Sequence, residues 1–126
     1  MSKKGFKELQ VWQRAKKLAA TVYKLTTADS MARQYALADQ MRRSSISVPS
    51  NIAEGDERDT DKDSVRFFYI AKGSLAELVT QLEIAHEVGL LTKEQIAPLS
   101  TERIELGRIL GALIKARSIA NPTYRP

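Results

Sequence analysis

The sequence predicts an all-α fold, an antiparallel up-down-up-down four-helix bundle, and three observations point there. Apolar residues recur at steps of three and four along almost the whole chain, the period of a helix and not of a strand. Glycine and proline number only 6 and 4 among 126 residues, few enough to leave long segments uninterrupted. The periodic stretches fall into four segments joined by short connections, which makes neighbours antiparallel. One domain spanning 1–126 is expected, since the chain is too short for two.

The first helix is expected over about 8–26, where Val11, Trp12, Ala15, Leu18, Ala19, Val22 and Leu25 form one apolar face. Gln10, Gln13, Arg14, Lys17, Thr21 and Lys24 fall on the other. Thr26-Thr27-Ala28-Asp29-Ser30 is rich in β-branched and short polar residues, which favour turns. The second helix, about 32–54, places Leu37, Met41, Ser44, Val48 and Ile52 on one face, in phase on both sides of Pro49. One kinked helix follows, although an interior proline costs roughly 3 kcal/mol; a break at Val48 is the alternative. Gly55 reads as its C-cap.

Residues 54–63 carry six acids and two bases and read as a solvated connection. Thr60 with Asp63 forms a capping pair for a third helix over about 61–88, and acids there suit the positive end of its dipole. Its seam is a heptad of Phe68, Ala71, Leu75, Leu78, Leu82 and Ala85, and Gly89 supplies a left-handed cap. Thr92 with Gln95 makes a capping box for the fourth helix, about 93–120, with core residues Ile96, Leu99, Leu106, Leu110 and Leu113. Pro98 is expected to delay or kink its first turn. The two prolines between Asn121 and Pro126 stop it.

Two helices carry more than a core face. On the second, Gln40, Ser47, Asn51 and Glu54 line up beside the apolar residues, while Tyr35, Ile46 and Ala53 lie opposite them. On the third, Ile70, Ser74, Glu77, Gln81, Ile84 and Val88 lie opposite the heptad seam, where a monomer would expose mostly charge. Scattered surface apolars are the plainer explanation. A self-association interface, with polar residues setting register and aliphatics supplying burial, is the sharper one. Arg103 and Arg117 share a side with Leu99 and Leu110; either their stems pack and their heads reach an edge, or they pair with Glu54 or Glu77 across an interface.

Most catalytic chemistry has no residues to run on. There is no cysteine, which removes disulfides, thiolate metal sites and cysteine nucleophiles and fits a reducing compartment; cytoplasm is the expected address. No run of 18 apolar residues suggests a membrane span, and no signal peptide is read. His86 is the only histidine, so no multi-histidine metal site or HExxH pair arises within one chain, and beside Glu83 and Glu87 it reads as a solvated helix residue. Asp59-Thr60-Asp61-Lys62-Asp63 mimics the start of a calcium loop, but Ser64 replaces the turn glycine and Ile70 the bidentate glutamate. No phosphate-cradling glycine motif occurs, and Ala71-Lys72-Gly73-Ser74 lies inside a helix. Glu54 and Glu77 are the one candidate carboxylate pair, better explained as a structural polar network. No enzyme and no cofactor are expected.

Charge is uneven. Residues 1–53 hold ten bases and three acids, net +7, whereas 54–63 are net −4 and 64–126 net +2. Lys3, Lys4, Lys7, Arg14, Lys16, Lys17 and Lys24 lie in or before the first helix, and Arg33, Arg42 and Arg43 add to them from the second. A phosphate backbone could lie along such a surface, bound by electrostatics and shape rather than by base contacts. The bases expected to make those contacts are Lys7, Arg14, Lys17, Lys24, Arg42 and Arg43; a solvated helical face is the plainer reading.

Three blocks resemble a known family: Phe6-Lys7-Glu8-Leu9 with Val11-Trp12-Gln13, the long stretch Gln40-Met41-Arg42-Arg43-Ser44-Ser45-Ile46-Ser47-Val48-Pro49-Ser50-Asn51-Ile52-Ala53-Glu54-Gly55, and Ile70-Ala71-Lys72-Gly73-Ser74-Leu75-Ala76-Glu77-Leu78. The chain is similar there to the 23S rRNA-intervening sequence protein family of four-helix bundles. The family's aromatic-proline start to the second helix is replaced by Ser30-Met31. The resemblance implies an antiparallel bundle assembled as a homo-oligomeric ring, with homopentamers expected, a continuous helix through Pro49 and no enzymatic activity. Related accessory proteins of retroelements bind nucleic acid with a similar basic pentamer, so RNA is the implied partner. The competing expectation is an assembly scaffold whose partner is a protein.

Overall fold

The computed structural model describes residues 5–120, so the expectations for Lys3, Lys4 and the tail from Asn121 lie outside the described residues. A single turn of 3-10 helix, Phe6–Glu8, leads into α1 (Gln10–Thr26), α2 (Asp29–Ala32), α3 (Tyr35–Asp56), α4 (Asp61–Glu87) and α5 (Lys93–Ala120). Among the described residues there is no strand. The fold is a helical bundle in which α3 packs most closely on α4, α1 on α3 and α4 on α5, while the seam between α1 and α5 is thinner.

The expected apolar faces are the buried ones. Val11, Ala15, Leu18 and Val22 of α1 meet Met41, Val48 and Ile52 of α3, the α4 seam from Ala71 to Ala85, and Ile96, Leu99, Leu106 and Leu110 of α5 in one core. Val65, Phe68 and Ile114 form a second cluster. Trp12, Leu25, Leu37 and Leu113 are only half-buried.

The ends of α1 and α3 differ from expectation. Leu9 is extended (φ −74°, ψ 125°) and offers no capping side chain, so α1 opens at Gln10, with the Phe6 ring edge-on to Trp12 at 5.1 Å between centroids. The turn expected from Thr26 holds the short helix α2, whose Met31 is wholly buried. Seating Met31 delays α3 to Tyr35, because Gln34 must leave helical geometry (φ −92°, ψ 63°). From there α3 runs unbroken through Pro49, and Ser44 and Ser45 donate their hydroxyls back to the Gln40 and Arg42 carbonyls at 3.0 and 2.9 Å. No break occurs at Val48.

Gly55 is not a cap. It sits inside α3, fully covered, because an added Cβ would come 2.6 Å from Phe68 Cε1 and 3.0 Å from the Ser64 carbonyl oxygen. Glycine here buys close approach of α3 and α4 rather than a left-handed turn. The helix ends when Glu57 and Arg58 close backbone bonds to Ala53 and Gly55 at 3.1 and 3.3 Å.

The other helix ends follow their capping residues. Thr60 accepts from the Asp63 N–H at 3.2 Å. Gly89 adopts φ +82°, with Leu90 N–H on the Ala85 carbonyl at 2.9 Å and Gly89 N–H on His86 at 3.0 Å, a Schellman pair. Thr92 and Gln95 make both bonds of a capping box, at 2.8 and 3.1 Å. Pro98 does not delay α5, which starts at Lys93 as expected; as the sixth residue of the helix it removes the N–H that would bond to the Glu94 carbonyl.

Gly55→Ala is expected to lower stability by about 1–3 kcal/mol through overpacking. Gly111→Ala, where an added Cβ meets nothing within 4 Å, is expected to raise it by about 0.5–1 kcal/mol. Urea midpoints of the two variants check both signs, and a neutral Gly55→Ala would mean that Phe68 does not seat on this glycine.

Candidate functional site

Polar residues that the sequence places beside the core of α3 and α4 close on one another. The Ser47 and Ser74 hydroxyls are 2.7 Å apart, and Asn51 Nδ2 donates to the Ser47 carbonyl and hydroxyl at 2.8 and 2.9 Å. Ser44 donates to Gln81 Oε1 at 2.6 Å. Ser74 and Ser44 are buried, and Ser47, Asn51 and Gln81 half-buried. These bonds are made within the chain and hold the register between α3 and α4.

Around it lies an exposed strip. Ile70 and Ile84 stand 46% and 49% exposed on one side of α4, fourteen residues and therefore about 21 Å apart, with Glu77 exposed between them. Gln40 is exposed at the α3 edge, and Val88 extends the strip. Ile46 is 42% exposed but lies about 100° round α3 from Ser47, so it is not part of the same strip. Glu54 pairs with Arg58, just past the end of α3, at 2.6 Å, and lies at the Gly55–Phe68 end of the seam, whereas Glu77 lies between Ser74 and Gln81. A carboxylate pair for proton transfer is therefore not assembled.

Arginine and lysine divide their work. Every ion pair among the described residues uses arginine: Arg14 with Glu102 and Glu105, Arg43 with Asp39, Arg58 with Glu54, Arg108 with Glu105, and Arg117 with Asp56 and Asp61. The planar guanidinium suits such fixed pairing. Arg14 is bidentate on Glu102, at 2.7 and 2.8 Å, and ties α1 to α5. Arg117 is 3.3 Å from the buried Asp56, with Phe68 beneath it at 5.6 Å, so its partner is neither Glu54 nor Glu77; Arg103 is exposed.

Of the bases expected to meet phosphate, Lys7, Lys17 and Lys24 are exposed, and no ion pair engages them among the described residues. Arg42 donates Nε to Thr26 Oγ1 at 2.8 Å and lies over the Tyr23 ring at 4.9 Å. Arg43, with its side chain 81% exposed, is 3.2 Å from Asp39. Lys16, exposed beside Lys17, stands 5.1 Å over Trp12. Within α1 there is no acidic residue at all, and its one internal neutralisation, Arg14 by Glu102, spans 88 residues of chain and has no local signal.

The pairing shifts the ionisations. The hydrogen bonds that Arg14 donates to Glu102 push its pKa up, and the Arg108 guanidinium, helped by Arg14, holds the Glu105 carboxyl below its ordinary 4.5. His86 is exposed, its Nδ1 3.0 Å from the Leu91 carbonyl oxygen. Among the described residues no cluster of histidine, cysteine, aspartate or glutamate is arranged to hold a metal, and no helix is long and apolar enough to cross a membrane.

The family model described as 23S rRNA-intervening sequence protein matches residues 7–112. No curated protein matches. Among solved structures, the chain is similar to the crystal structure of a protein of unknown function from the S23 ribosomal protein family of Bacteroides thetaiotaomicron. The two are 23% identical with a TM-score of 0.74, over 83% of this chain and 98% of that one. At that identity the likeness is one of fold.

Because its folded pKa is depressed, Glu105 contributes stability above about pH 4.5 and loses it as pH falls below that value. The gap in urea midpoint between wild type and Glu105→Gln is expected to be present at neutral pH and to close on acidification. A gap that persists in acid would rule out this ion-pair origin.

Proposed function

The chain belongs to the 23S rRNA-intervening sequence protein family, and from that premise we propose that it is a non-enzymatic, self-associating bundle that binds nucleic acid, RNA foremost, through the basic face of α1. The carrying observation is that α1 presents Lys17 and Lys24 on one exposed face, seven residues and about 10 Å apart, with no acid on the helix. Free ammonium groups of this kind bind phosphates by releasing condensed counterions, which needs no base contact. Lys7 and Lys16 extend the surface, whereas Arg14 and Arg43 enter it already neutralised by Glu102 and Asp39.

The pairing of Ser44 with Gln81, Ser47 with Ser74 and Gly55 with Phe68 runs up α3 as it runs down α4, which supports an antiparallel up-down-up-down arrangement in one domain. Ile70 and Ile84, half exposed beside a satisfied polar network, support self-association through this strip. A homo-oligomeric ring, a pentamer in the reading developed here, repeats each lysine face and multiplies a modest field into a strong one. The working compartment in this reading is the cytoplasm.

Fluorescence anisotropy of a structured RNA, titrated with nuclease-treated protein across a salt series, is expected to show binding that weakens steeply with salt. Lys17→Glu with Lys24→Glu should cost at least about tenfold in affinity and flatten the salt slope by about 2. No binding at low salt would refute the RNA reading and favour a protein scaffold. Light scattering is expected to show an oligomer that Ile84→Asp dissociates; a 14.1 kDa wild-type monomer at high micromolar concentration would refute self-association.

A further inference from the structure

Where the lysine face of α1 ends, the chain forms a concavity of about 510 Å³, walled by Thr26 of α1, Ala32 of α2, and Tyr35, Ala36, Asp39 and Arg42 of α3. Its size is within the range that holds a small ligand, roughly 300–1,000 Å³. Two of its side chains have chemistry that the fold does not use.

The first is Arg42. Its Nε donates to Thr26 Oγ1 at 2.8 Å, and that hydroxyl, 1% exposed, is oriented by donating in turn to the Val22 carbonyl at 2.9 Å. One face of the guanidinium lies over Tyr23, 4.9 Å from the ring centroid. The group is thus held in place by a neutral hydroxyl and a ring, unlike Arg14, Arg43 and Arg117, which are held by carboxylates. Asp39, the one acid in the wall, is engaged by Arg43 at 3.2 Å. The Nη edge of Arg42 therefore keeps its charge and its forked donors, positioned before any ligand arrives.

The second is Tyr35, 78% exposed at the start of α3 and the most exposed of the large apolar and aromatic residues described. Among the described residues no ring or cation stacks on it. A fixed cationic fork and an open aromatic ring in one concavity match the two halves of a nucleotide, phosphate and base. A base within a continuous duplex has no free face to offer, whereas an unpaired base does.

Building on the RNA reading above, we propose that this concavity holds one unpaired nucleotide of the RNA, its phosphate on the Nη edge of Arg42 and its base against Tyr35. The lysines attract any phosphate backbone; this site supplies a preference for loops or bulges over continuous helix.

The test compares a blunt RNA duplex with a hairpin that has the same stem and an unpaired loop, both by anisotropy at one salt concentration. Wild type is expected to bind the hairpin about tenfold more tightly, the scale of one stacked base. Tyr35→Ala, a surface change, and Arg42→Lys, which keeps the charge but loses the fork, should each bring the hairpin-to-duplex ratio close to one, with helix content by circular dichroism intact. Equal, salt-sensitive binding of the two RNAs by wild type would overturn this site alone, as would a preference that survives both substitutions. Failure to bind either RNA would overturn the site together with the RNA reading.

Discussion

The edge of Phe68 occupies the place where residue 55 would otherwise have a side chain. That contact brings α3 and α4 together at one end of their shared seam, and much else depends on it. It buries Val65 and Ile114 beside Phe68, seats Arg117 over the same ring, and brings Arg117 within reach of Asp56 and Asp61. A carboxylate as buried as Asp56, with its side chain 3% exposed, needs that partner, because an uncompensated charge there would cost several kcal/mol. The polar network continues the same register along the seam. Ser47 meets Ser74 and Ser44 meets Gln81 only if α3 and α4 are set as Gly55 and Phe68 set them.

That register decides what faces outward. With Ser74 turned into the seam, Ile70, Glu77 and Ile84 are left on the outer side of α4, half exposed or more. The serine and asparagine hydrogen bonds are made within the chain, and the strip beside them presents Ile70 and Ile84 with Glu77 between them. Burial of Ile70 and Ile84 is the favourable part of covering this strip with a second copy, and the Glu77 carboxylate between them needs a partner in such a contact.

The basic surface is shaped by which cations the fold consumes. Arginine forks are used to tie helices, Arg14 across the thin α1–α5 seam and Arg117 across the far end of the bundle, and each brings a carboxylate with it. Among the described residues no carboxylate pairs with the lysines of α1. The net charge of +5 is therefore a poor guide by itself, since much of the arginine charge is already compensated, while α1 keeps its lysines unpaired among the described residues and carries no acid of its own.

What the sequence determined by itself was local. Thr60, Gly89 and the Thr92–Gln95 box act within a turn of where they stand, and the heptad from Phe68 to Ala85 is a property of one helix, so both ends of α4, the start of α5 and the core faces were legible from spacing. The side of α3 that carries Ser47 and Asn51 and the strip on α4 were legible for the same reason. Tertiary structure decided what depends on residues far apart in the chain. Gly55 looked like a cap until Phe68 came against it, Arg14 looked like a phosphate ligand until Glu102 arrived from 88 residues away, and α2 formed because Met31 found a place in the core. The concavity at Arg42 likewise exists only because Thr26, Ala32 and Tyr35 converge from three helices. Periodicity reports which face a residue occupies on its own helix, but the partner it meets is set by how that helix packs against the others.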